Sequence, residues 1–168
     1  MQPDRLREVA LADVVPGRLY LSEMPGRGGS LEEYERELAG KGVGRVLCLT
    51  PPDEVREKSP GYARKLEEGT FAWPVDRFPI PDYGVPEDIG GLVETAREAA
   101  RRLRAGERLL IHCGAGVGRT GLVAACILLA LGLSPAEAVR RVKEAGSRPE
   151  TAKQRTLLEE FPRHLMGK

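Results

Sequence analysis

The sequence contains no asparagine, only two glutamines and only two histidines. Scarcity of side-chain amides is a tendency of thermophile proteins. The 20 arginines against six lysines fit that tendency and fit GC-rich coding equally well. Three cysteines, odd in number and far apart, make no disulfide framework. They suit a reducing compartment, so a cytoplasmic location is expected. No group of His, Cys, Asp and Glu has the spacing of metal ligands, so neither a metal nor a cofactor is expected. No basic run or aromatic–basic interleaving occurs and the net charge is +1, which argues against nucleic-acid binding. The longest apolar stretch, 122–133, is too short to span a bilayer. The amino terminus is charged and lacks an apolar signal core. No repeat, linker or low-complexity tract divides the 168 residues. One domain over 1–168 is expected, monomeric by default, with 1–17 as a peripheral leader.

What is present alternates between strand and helix signals. Arg18–Ser22 reads as a first strand. Ser30-Leu31-Glu32-Glu33 is a capping box that opens a helix to about Lys41. Residues 45–50 read as a buried strand, broken by Pro51-Pro52-Asp53, and a short helix covers 60–68 and ends at Gly69. Residues 70–75 contain a proline and read as an edge or irregular strand. Residues 78–86 are punctuated by Pro79, Pro81, Gly84 and Pro86, which marks a structured loop. Apolar positions 89, 92, 93, 96, 99 and 103 give a helix over 87–104, and a strand over 108–112 follows. Ser134-Pro135-Ala136-Glu137 caps another helix, and a last one follows Pro149-Glu150 with Leu157, Leu158 and Phe161 buried. The alternation predicts an α/β fold, a central and mostly parallel sheet flanked by helices.

The chemistry concentrates in His112-Cys113-Gly114-Ala115-Gly116-Val117-Gly118-Arg119-Thr120-Gly121, between a buried strand and a buried helix. Gly114, Gly116 and Gly118 let the backbone curl and expose its N–H groups. The helix starting near Gly118 aims its positive end at the same point. The turn 114–118 therefore forms a cup for a dianion such as phosphate. Cys113 lies at its base, where the same field favours a thiolate. Arg119 can grip two anionic oxygens with its planar fork, and Thr120 can donate its hydroxyl to the sulfur.

Cys-x5-Arg followed by Thr-Gly and preceded by His resembles the signature of the cysteine-based protein tyrosine phosphatases. The segments at 80–86, 108–126 and 150–154 are most similar to the small atypical dual-specificity phosphatases. The resemblance implies hydrolysis of phosphomonoesters through a phosphocysteine intermediate, without metal. It also implies phosphotyrosine protein or peptide substrates, with phosphoserine and phosphothreonine open; the charge pattern and the short apolar stretch lead us to expect no nucleic acid or membrane partner. No segment resembles the tyrosine-bearing loop that walls the deep pocket of the classical enzymes, so a shallower site is expected. The absence of charge at 114–118 argues against phosphoinositide headgroups.

Such chemistry needs a carboxylic acid to protonate the leaving oxygen. Asp82, in Pro81-Asp82-Tyr83-Gly84, matches the family's acid loop, and a plain turn aspartate is the alternative. Asp76 and Asp88 are reserves. Gln154 in Glu150-Thr151-Ala152-Lys153-Gln154 matches a family glutamine that faces the catalytic turn, where it would orient water. Otherwise it is an exposed helix residue. His112 either orients the turn or is structural. Cys48 reads as a small core residue. In some relatives an equivalent cysteine forms a disulfide with the nucleophile, which would make it a redox partner of Cys113. Cys126 reads as inert, His164 as surface, and Arg27, Tyr83 and Arg148 as possible rim residues. Competing readings are sulfur transfer or arsenate reduction on a similar turn, RNA 5′-phosphate hydrolysis, and a non-catalytic phosphate-binding module.

Overall fold

A computed structural model describes residues 5–167. Five strands form one sheet: β1 (Arg7–Val9), β2 (Arg18–Ser22), β3 (Arg45–Cys48), β4 (Val75–Arg77) and β5 (Arg108–His112). Their order is β1-β2-β5-β3-β4, with β1 antiparallel to β2 and the other pairs parallel. The α/β fold with a mostly parallel sheet is as expected. β5 lies at the centre, so the turn that follows it opens at the carboxyl edge of the sheet, where α/β sheets bind ligands.

Strand parity sorts the core into two faces. Tyr20, Val46 and Leu110 pack with Leu6, Tyr34 and Leu38 on the side of α1 (Leu31–Gly40). Cys48 and Tyr62 continue that side under α2 (Pro52–Lys58) and α3 (Pro60–Glu68). Leu19, Leu21, Leu109 and Ile111 face the other way. There they meet α4 (Ile89–Arg104), α5 (Gly118–Ala130), α6 (Pro135–Glu144) and α7 (Ala152–Leu165). α5 is buried at every position from Gly118 to Leu129, as expected of a helix that is apolar all round. It lies so close to the chain before α7 that a Cβ on Gly121 would stand 2.4–2.6 Å from Arg148 backbone atoms.

Three expectations need correction. The described part of the leader is not peripheral. β1 pairs with β2, and Leu6 and Val9 are buried. Pro51-Pro52 does not simply break a strand either: Pro52 is the first residue of α2, where its missing N–H costs nothing. The edge strand lies at Val75–Arg77, later than 70–75. Among the described residues no helix is long and apolar enough to cross a membrane.

Candidate active site

The turn after β5 is held from all sides by its neighbours. Leu49 N donates to His112 O at 3.0 Å and Met24 N donates to Gly114 O at 3.1 Å. Gly116 has φ +76, and a Cβ there would stand 2.4 Å from Ser22 O, so the chain can pass only as glycine. The turn folds back on its own cysteine. Gly116 N donates to Cys113 Sγ at 3.3 Å and Thr120 Oγ1 donates to it at 3.0 Å. Both bonds aim a donor at the sulfur. Cys113 is 2% exposed, at the base of a cavity of about 140 Å³ bordered by Arg27, Lys58, Asp82, Tyr83 and Arg119.

Arg119 is fixed by α2. Its Nη1 donates to Glu54 Oε1 at 2.9 Å and to Ile80 O at 3.0 Å, and its Nη2 donates to Glu54 Oε2 at 2.7 Å. That consumes both Nη1 protons and one on Nη2. It leaves Nε–H and the second Nη2 proton as the fork for a ligand. Asp82 Oδ1 stands 3.1 Å from Nη2 on an otherwise half-exposed side chain. Lys58 Nζ is 2.7 Å from Glu54 Oε2 and 3.8 Å from Asp82 Oδ2. Partial burial works to raise the Glu54 pKa. Hydrogen bonds and charge from Arg119 and Lys58 outweigh it and hold the carboxyl at about 2. Burial works to lower the Arg119 pKa, and its partners, Glu54 first, turn the shift upward.

The structure thus brings Cys113, Arg119, Thr120 and Asp82 together, with Ala115 and Gly118 in the cavity wall. The reserve acids stand elsewhere. Asp76 pairs with Arg45 at 3.0 Å, and Asp88 caps α4 through Gly91 N at 2.8 Å. Gln154 is buried, but its amide serves the loop and helix, and it does not border the cavity. Its oxygen accepts from Glu150 N at 2.8 Å and Thr151 N at 3.3 Å, while Nε2 donates to Gly84 O at 2.9 Å. It ties the Asp82 loop to the start of α7 instead of aiming at Cys113; the neighbouring Glu150 side chain borders the cavity in its place. His112 is buried on the α3 side of the sheet, with Nε2 2.8 Å from Tyr62 Oη and Nδ1 3.2 Å from Cys113 O.

Cys48 does not meet Cys113. It pairs in register with His112, so it shares that residue's face and packs with Met24, Val55 and Tyr62, while Cys113 belongs to the opposite core. Both cysteines are free. Burial pushes the Cys126 thiol up, which keeps it inert. Arg148 is used through its backbone, donating to Val117 O at 3.1 Å. A larger cleft of about 280 Å³ lies between α4 and the β3–β4 corner. Of the groups considered for chemistry only Asp76 borders it.

Sequence reasoning missed Glu54, Lys58, Arg7 and Ser147. Arg7 Nη2 and Ser147 Oγ both donate to Gly116 O, at 2.7 and 2.6 Å. None of the four belongs to a motif. They arrive from β1, α2 and the connection before α7.

Comparison with known proteins gives this geometry a family. The family model described as "Swiss Army Knife protein, DSP-PTPase phosphatase domain" matches residues 9–162. The chain belongs to that family. A structure of kinase associated phosphatase (KAP), with its catalytic-site cysteine replaced by serine, superposes with a TM-score of 0.84. That match has 26% identity and covers 99% of this chain and 98% of that one. Tk-PTP in its active form gives a TM-score of 0.67 at 30% identity over 89% of this chain and 94% of that one. Cyclin-dependent kinase inhibitor 3 of Rattus norvegicus is 46% identical over 88 residues, 49% of this chain and 41% of that protein. The match therefore spans less than half the length of such curated relatives. This chain's five-stranded sheet and catalytic turn are those of a cysteine-based dual-specificity or tyrosine phosphatase domain.

Proposed function

We propose that the protein hydrolyses phosphomonoesters on phosphoproteins through a phosphocysteine at Cys113. The observation that carries this reading is the placement of Asp82 beside the free fork of Arg119, across a cavity with the Cys113 sulfur at its base. A phosphoryl group takes Arg119 Nε and Nη2 and the N–H groups of residues 114–118, and displaces Asp82 from the guanidinium. The thiolate forms the P–S bond as the P–O bond breaks, and protonated Asp82 gives its proton to the leaving oxygen. In the second step Asp82, now carboxylate, takes a proton from water as water attacks phosphorus. The electron pair of the P–S bond returns to sulfur, and the Thr120 hydroxyl stabilises it. Gln154 positions the Asp82 loop in this scheme. Glu150, at the cavity wall, is placed better than Gln154 to contact the attacking water.

Phosphotyrosine is the favoured substrate. Tyr83 is exposed at the rim, where an aryl ring can lie against it. The name kinase associated phosphatase, borne by a structural relative, supports a phosphoprotein substrate. The test is hydrolysis of a small aryl phosphate against pH, without added metal, in wild type, Cys113→Ser and Asp82→Asn. The serine variant is expected to be inactive, and the asparagine variant to lose about 10²-fold or more together with its basic limb. Full activity in Asp82→Asn would move the acid to another carboxylate. A wild type that binds vanadate without turnover would make the domain a phosphate-binding module.

A further inference from the structure

One side chain carries the first strand of the sheet to the back of the anion-binding turn. Arg7 Nη2 donates to Gly116 O at 2.7 Å, and its Nη1 donates to Ser147 Oγ at 3.0 Å. Ser147 Oγ in turn donates to the same Gly116 O at 2.6 Å. Nη1 also donates to Ala145 O, so one guanidinium ties β1, the turn and the chain between α6 and α7 together. Neither Arg7 nor Ser147 borders the cavity around Cys113.

The direction of that grip matters. No peptide bond among the described residues is cis, so the carbonyl of Gly116 and the N–H of Val117, which share one peptide plane, point opposite ways. Two donors hold the carbonyl outside the cavity, and the Val117 N–H is therefore turned towards the anion side. A cationic donor on the carbonyl also polarises the peptide and strengthens its N–H. The positive φ of Gly116 is what permits the peptide to stand this way.

We propose that Arg7 is a positioning residue for the chemistry of Cys113: it orients the 116–117 peptide towards the phosphoryl site and adds a second guanidinium charge behind the sulfur. Electrostatics agree with the geometry. Burial lowers the Arg7 pKa, and Cys113, then Glu23, pull it back up. The proposal rests on Cys113 being the reactive thiol. The other charges facing Cys113 are Arg27, Lys58, Asp82, Arg119 and Glu150 around the cavity. Glu54 acts from α2 through Arg119, and His112 precedes Cys113 on β5. An Arg7 substitution leaves all of these in place.

The test uses the full chain and reads Cys113 directly. Alkylation of Cys113 by iodoacetamide is followed against pH by peptide mass, with and without vanadate, in wild type, Arg7→Met and Arg7→Lys. Arg7→Met should move the half-maximal pH of alkylation upward and weaken vanadate protection about tenfold, the worth of a charged hydrogen bond. Arg7→Lys, which keeps the charge and loses the two-armed grip, should restore the pH profile more than the protection. Arg7→Met within twofold of wild type in protection, with an unmoved pH profile, overturns the proposal, whatever it does to the unfolding temperature. Should Arg7→Met fail to fold, Ser147→Ala removes the other donor to Gly116 O and keeps the Arg7 charge. It should weaken protection severalfold at an unchanged pH profile, and unchanged protection overturns the proposal. Alkylation and vanadate protection without phosphoester turnover would sink the hydrolase reading and leave these two readouts to decide on Arg7.

Discussion

Replacing Glu54 by glutamine probes the least visible part of the site, the anchor of Arg119. Glu54 accepts one hydrogen bond from each Nη of Arg119, on a side chain 13% exposed facing one that is 2% exposed. A carboxyl held at about 2 in the folded chain, against about 4.3 when unfolded, contributes roughly 2–3 kcal/mol near neutral pH. The sign follows from the depressed folded value. The contribution is present in full above about pH 5 and is lost as pH falls towards 2, with about half left at pH 3. Glutamine keeps one acceptor but no charge, and Arg119 retains Ile80 O and Asp82, so the variant should lose about 2–3 kcal/mol at pH 7. Urea unfolding of both proteins at pH 7 and pH 3 measures it, and the gap between them should narrow by about half at the lower pH. Aryl phosphate kcat/KM should fall about 10²-fold, because the fork left for phosphate loses its aim. A gap of the same size at both pH values would refute the ion-pair account, and unchanged kcat/KM would refute the anchoring role.

Two further substitutions follow from the same contacts. Gln154→Met keeps the buried volume but removes the tie to Gly84 O and the acceptor for two backbone N–H groups. It should cost about 2 kcal/mol in urea unfolding and lower kcat with Cys113 alkylation unchanged, and an unaltered kcat would mean that the acid loop is held by something else. Gly121→Ala pushes a methyl group into Arg148 backbone atoms that cannot rotate away. A loss of about 2–3 kcal/mol, read as a drop of about 5–10 °C in calorimetric Tm, is expected, and a drop below about 2 °C would show that α5 and the 147–149 segment separate easily.

The parts of the site that sequence reveals are those packed into one continuous motif. Cys113, Arg119 and Thr120 sit at fixed offsets between an apolar strand and an apolar helix, and the structure places them within hydrogen-bond reach of the sulfur or across its cavity. Asp82 stood out among six aspartates because its Pro-Gly loop, about thirty residues before Cys113, resembles the acid loop of the family. β1 was not, since three residues with one fully buried side chain, Val9, carry no periodicity. α2 was hidden for the same reason. It is seven residues long with one buried side chain, Val55, and its opening prolines signal a strand end and a helix start alike. Missing α2 meant missing Glu54 and Lys58. Gln154 shows a different failure. Its Thr-x-x-Gln spacing is the same capping signature that marked the helices at Ser30 and Ser134. The resemblance to a family segment drew attention to chemistry, and the reciprocal cap with Thr151 accounts for two of its four hydrogen bonds.

The Gly116 carbonyl is held by residues 7 and 147, which lie 140 residues apart, while the Asp82 loop is held by residue 154. A ribosome delivers these parts in a set order. When Cys113 has just been made, Arg7 has long been available, but Ser147 and Gln154 have yet to be translated. A chain interrupted there has its thiol without the second grip on the turn and without the tie on the acid loop. Contacts this distant in sequence are also the slowest to close. The turn and the Asp82 loop are thus held in full only once residues 147 and 154 have been made and have docked against segments 140 and 70 residues earlier.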